Sequence, residues 1–200
     1  MVATVVSPEE SRVQGLQTLN LCRMGLEENI GDLTLREGYW AFAKDKQADI
    51  PLIIRLLENP ASPIALPGSI DLFGHDCLHL LLNRGMDNFD EAFIIGFTMG
   101  NARELQKRHL NTFRLVASHF YPPPYRFSEG HLKSFDLGVL YGQRLPFRDI
   151  HLVDFSLHLD RSIAQVRELF GISIAELRRV CYAERLWNPL CPIFSLSPGR

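Results

Sequence analysis

Residues 74–91, GHDCLHLLLNRGMDNFDE, set His75, Asp76 and His79 among leucines that belong in a protein interior. On a helix of about 3.6 residues per turn, His75 and His79 lie about 40° apart, and Asp76 lies about 100° from the first and about 60° from the second. All three share a face. Cys77, Leu78, Leu81 and Leu82 fill most of the remaining circumference, so this helix is apolar nearly all round and is predicted to be interior. A carboxylate buried beside two imidazoles is unstable unless something pairs with the group.

Glu91 follows His79 by twelve residues. If Gly85 supplies the left-handed residue that closes the first helix, the chain reverses and a second helix brings Glu91 back beside the histidines. A divalent cation then satisfies all four side chains, His75, Asp76, His79 and Glu91. Two imidazole nitrogens with carboxylate donors suit zinc best. They also match the two-histidine, one-carboxylate set that holds non-haem iron with open positions, and they admit magnesium. Blander readings of the same residues stand beside this one. A histidine on an apolar helix can simply hydrogen-bond in the core, Asp76 can fix the tautomer of a neighbouring imidazole, and Asn88 with Glu91 makes an acceptable capping pair.

The rest of the chain reads as mainly α, a single multi-helix domain over residues 1–200. Ser7-Pro8 opens a helix over about 8–24, LTLREGYWAFAKDKQ suggests a second and PLIIRLLEN a third, followed by a Pro-rich connector at 59–69. The helix that begins near Phe89 is expected to continue to His119, where FYPPPYRF interrupts it. Ser128 caps the next segment. HLVDFSLHLD alternates apolar and polar residues and predicts the one strand. Asp160 is placed to cap RSIAQVRELF, Gly171 to end it, and Ser173 with Glu176 to box the last helix before an irregular tail.

With a formal charge of −2 and scattered basic residues, the chain has no electrostatic footprint for nucleic acid. A helix-turn-helix reading of IAQVRELFGISIAELRR is further disfavoured by Arg167, where close helix packing needs a small residue. A His-Asp phosphohydrolase requires an upstream histidine, and none precedes His75. Cys22, Cys77, Cys181 and Cys191 form no CxxC pair and are expected to be reduced thiols. MVATVVSPEESR lacks the pattern of a secretory signal, so a cytoplasmic location is expected, with peripheral membrane contact compatible.

The spacing His-Asp-x-x-His, eleven residues, then Glu resembles the metal-binding signature of the Coq-four family of coenzyme Q (ubiquinone) biosynthesis proteins. His75, Asp76, His79 and Glu91 fall on its four positions, and SIAQVRELFGIS is a looser echo of that family's C-terminal helix. Asp90 departs from the pattern, standing where many members have glycine. The resemblance implies an all-α domain in which the metal sits beside an apolar cavity for a polyprenyl lipid or quinone precursor. It implies decarboxylation or oxidative hydroxylation at C1 of a prenylated hydroxybenzoate, or a non-catalytic scaffold for other quinone-biosynthesis proteins, with a homodimer compatible. Phe93, Ile94, Ile95, Phe97 and Met99 are the expected cavity wall. Gly96 and Gly100, four apart on one helix face, would let an isoprenoid chain or another helix approach closely, and tight core packing is the plainer reading of all of them.

Overall fold

The computed structural model describes residues 30–42 and 60–187. Seven α-helices lie among them: α1 (Leu35–Phe42), α2 (Leu72–Leu82), α3 (Asn88–Asn101), α4 (Lys107–His119), α5 (Glu129–Arg144), α6 (Ile163–Phe170) and α7 (Ile174–Trp187). The all-α class is as expected. The helices expected over 8–24 and 51–59, and the tail beyond Trp187, lie outside the described residues.

Local chemistry explains most helix ends. Thr34 and Glu37 form a reciprocal box at the start of α1: the Glu37 N–H donates to Thr34 Oγ1 and the Thr34 N–H to Glu37 Oε2. Asp71 accepts from the Gly74 N–H to begin α2, Asp87 from Phe89 and Asp90 to begin α3, and Ser128 from His131 to begin α5. Gly171 closes α6 at φ 71°.

The centre of the molecule is the α3–α5 pair. Both helices run the same way, because Gly96 meets Phe135 while Gly100 meets Val139, and Gly138 meets Phe93 while Gly142 meets Phe97. Each glycine faces the other helix's backbone, and a β-carbon on any of the four would come within 3.0 Å of a carbonyl oxygen. This pair forms a wall between two apolar clusters. Phe93, Ile94, Phe97 and Tyr141 face one, with Leu78 and Leu81 of α2, Ile163 of α6 and Leu177 of α7. Ile95, Met99, Phe135 and Val139 face the other, with Phe113 and Ala117 of α4. Fully burying a leucine or phenylalanine contributes roughly 1.5–3 kcal/mol, so these clusters dominate the folding energy.

Four local expectations need correction. The left-handed residue that ends α2 is Asn83 (φ 51°), not Gly85. Asparagine tolerates that conformation better than most residues, and the Gly85 N–H is instead taken by Asp90 Oδ2. The helix expected to reach His119 breaks at Ala102, which leaves helical geometry at ψ 130°. There the Asn101 amide donates to the carbonyls of Gly142 and Phe147, and its oxygen accepts from the Ile150 N–H, an anchoring that turns the chain. The expected strand is two short 3-10 helices, Ile150–Leu152 and Phe155–His158. Asp154 caps the second through the Ser156 N–H, and Phe155 is buried while Leu157 is exposed, so the alternation never lay against a sheet. Finally, α6 is capped by Ser162, and Asp160 pairs with Arg36.

Candidate metal centre

Helices α2 and α3 meet at the 83–87 turn, which brings Glu91 back across α2. His75 Nε2 lies 3.3 Å from Glu91 Oε2, and His79 Nε2 lies 3.3 Å from Glu91 Oε1. The two imidazole rings stand 4.7 Å apart, nearly edge to face. One ligand atom from each of the three side chains falls within 4.8 Å of the others. The capping role available to Glu91 is not used, because Asp87 caps α3.

The donor set fits a small divalent cation. Donors held about 2.0–2.1 Å from a common tetrahedral centre stand about 3.3 Å from one another, which is the separation of each imidazole nitrogen from its Glu91 oxygen. The site is deep on one side and open on the other: His79 is fully buried, whereas the side chains of His75 and Glu91 keep 17% and 25% of their exposure. A water or substrate oxygen can therefore reach the group past His75 and Glu91.

Asp76 is placed differently from its three companions. Its Oδ1 lies 3.9 Å from His75 Nδ1, on the far side of the ring from Glu91, and it is not part of the converging group. That is the position of a carboxylate that orients a ligand. His79 has a counterpart in the Arg84 carbonyl, 3.3 Å from its Nδ1. The Nδ1–H that donates there leaves Nε2 as the electron-pair donor facing Glu91.

Electrostatics bind the group together without a cation as well. Burial opposes a charged His75, but the Glu91 carboxylate, with that of Asp76 nearby, outweighs it and raises the imidazole to about 10. Burial likewise opposes a charged Glu91, yet the two imidazoles hold it well below the usual carboxylate range. A proton and a metal ion thus compete for the same pocket.

The positions expected to wall a cavity, Ile95 and Met99 included, are all interior, and so are the two glycines among them. Phe93, Ile94 and Phe97 are fully buried in the core, and Gly96 and Gly100 are occupied by close approach of α5. Helix packing is the role the glycines visibly play.

Sequence reasoning missed a second polar cluster beneath the same turn. Arg84 is fully buried, with its Nη1 2.7 Å from Glu184 Oε2 of α7 and 3.4 Å from Asp90 Oδ1, and its guanidinium 3.6 Å above the Phe93 ring. Arg167 of α6 donates to the carbonyls of Leu80 and Leu81, capping the C-terminus of α2. Burial lowers the Arg167 guanidinium to about 10, so it stays charged at neutral pH. The one available signal was Asp90, an acid in the first turn of α3 only six residues after Arg84.

Comparison of the chain with protein-family models, with curated proteins and with solved structures finds no match. Fold and site together define an all-α protein with a two-histidine, one-glutamate group across a helix-turn-helix corner.

Proposed function

We propose that this protein binds a divalent cation, zinc or iron, through His75, His79 and Glu91, and that it acts on a prenylated hydroxybenzoate or related quinone precursor. The observation that carries the metal reading is the convergence of both imidazole Nε2 atoms on the two oxygens of Glu91. The substrate class comes from the resemblance of the His-Asp-x-x-His…Glu spacing to the Coq-four family. When bound, the cation supplies Lewis-acid polarisation of head-group oxygens, which favours loss of carbon dioxide from the ring, and iron adds dioxygen chemistry. His79, anchored by the Arg84 carbonyl, fixes the buried side of the site, while His75 and Glu91 border the side from which a head group enters. Asp76 holds His75 in orientation. Peripheral membrane contact accompanies this reading because a polyprenyl substrate resides in the bilayer; no helix among the described residues is long and apolar enough to cross one.

A non-catalytic lipid carrier or assembly scaffold is the second reading. It is favoured by the full burial of His79 and by the interior setting of Phe93, Ile94 and Phe97, under which the cation chiefly fastens α2 to α3. Elemental analysis of purified protein, before and after His79→Ala, tests the shared premise: about one cation per chain is expected, lost in the variant, and full retention by H79A would overturn it. Turnover of a prenylated hydroxybenzoate then separates catalyst from carrier, which would copurify with isoprenoid in native mass spectrometry without converting it.

A further inference from the structure

The peptide joining Arg84 to Gly85 is held from both sides. Its carbonyl faces His79 Nδ1 at 3.3 Å, and its N–H donates to Asp90 Oδ2 at 3.0 Å. A peptide group is planar, so fixing the N–H fixes the direction of the carbonyl. Asp90 is fully buried, and an ionised carboxylate in that setting needs a neighbouring cation. Arg84 supplies it, and the same Nη1 reaches Glu184, a buried acid on α7 that lies 100 residues away in sequence. The guanidinium rests on Phe93, which limits its freedom to move. A continuous set of contacts therefore runs from α7 to the buried metal-binding histidine.

We infer that Asp90, Arg84 and Glu184 are positioning residues that pin the Arg84–Gly85 peptide, hold His79 as the Nδ1–H tautomer with Nε2 toward Glu91, and make cation affinity depend on the docking of α7. This inference rests on the metal reading above. It also accounts for the acid at position 90: a glycine there could neither accept the Gly85 N–H nor answer Arg84. The distance from α7 matters because α7 contributes none of the three converging donors, yet its glutamate is in contact with the turn that orients one of them.

The test uses cobalt(II) as the probe with the full chain and the Glu184→Gln and Glu184→Asp variants, at a temperature well below each melting transition. With folding verified by circular dichroism, E184Q is expected to weaken cobalt affinity about tenfold, as loss of an outer partner does, and to alter the visible ligand-field spectrum; E184D recovers part of both. A merely structural glutamate would lower the melting temperature and leave affinity and spectrum unchanged, which would overturn the inference. Nitrogen-15 NMR of the His79 ring in metal-free protein gives an independent reading, with an Nδ1–H signal expected in the wild type and weakened in E184Q. Should the wild type take up no cobalt, the metal reading fails by itself, and the ring signal decides the positioning: absence of Nδ1–H in the wild type, or a ring signal unchanged in E184Q, refutes it. Should E184Q not fold, E184D with the same two readouts makes the decision.

Discussion

The α3–α5 seam and the α2–α3 corner both join buried helices, but they do so with opposite chemistry. The seam is backbone against backbone, with Gly96 and Gly100 against the carbonyls of Phe135 and Val139, and Gly138 and Gly142 against those of Phe93 and Phe97. The corner is a packed set of charges: His75, His79 and Glu91 above, and Arg84, Asp90 and Glu184 below. Dispersion contacts along the seam involve no strongly solvated groups, so the seam adds stability without a desolvation cost. Arg84, Asp90 and Glu184 had to leave water entirely and His75 and Glu91 in large part, so the corner persists only while its partners remain in place. A protein concerned only with stability could fill such a corner with leucine. Retaining ionisable groups there is what a binding site requires.

Substitutions that separate these two kinds of joint should differ in size and in whether a second change can repair them. The largest effect is expected from Arg84→Met, which leaves the Asp90 and Glu184 carboxylates buried without their guanidinium and should cost about 3–5 kcal/mol in urea denaturation. Adding Glu184→Leu to it should recover a substantial part, since two charges are then removed together; an additive loss would show that the corner is not a coupled unit. Gly138→Ala comes next, at about 1–3 kcal/mol or more, because its β-carbon meets the Phe93 carbonyl and forces α3 and α5 apart. No second side-chain change should repair it, because the obstruction is backbone.

Asp76→Asn should leave folding nearly intact and weaken zinc affinity about tenfold, measured by competition with a chromophoric chelator. A loss far beyond that would make Asp76 a direct ligand. A further test is the pH dependence of the metal-free protein. His75 is raised to about 10 in the folded chain from about 6.5 when unfolded, so its contribution is complete below about 6.5 and is lost as pH climbs through about 10. Glu91 is held below the ordinary carboxylate range, so its contribution is present at pH values above that range and disappears as the solution is acidified. Melting temperature should therefore be highest between these limits. His75→Gln should flatten the alkaline decline, and a decline of unchanged slope in that variant would assign it to another group. Zinc should bind more tightly as pH rises over the same range, releasing the proton it displaces.

Much of the site was legible because its ligands are close in sequence. His75 and His79 share a face by helical period alone, and one tight turn suffices to return Glu91 to them. Asp76 carries the same local signal, but a 100° offset was too coarse to tell a ligand from the carboxylate behind one. The distant partners of Arg84 and Arg167 left no such trace, since Glu184 and the Leu80 and Leu81 carbonyls lie about 100 and 86–87 residues away. Apolar alternation at 151–159 misled for a related reason: a strand needs a neighbouring strand, and the period of a single segment does not supply one.

The amino-acid sequence by itself determined the helical class, caps and stops such as Ser128 and Gly171, and the register that aligns two imidazoles with one glutamate, because each of these depends on residues within a few turns of one another. Tertiary structure alone decided that α3 and α5 run parallel through a glycine seam, that Asn101 breaks the long helix, and that a glutamate on α7 answers a buried arginine beneath His79. Those outcomes depend on which surfaces meet after distant segments collapse together, and on the low dielectric of the interior, where each buried charge selects its partner by proximity in space.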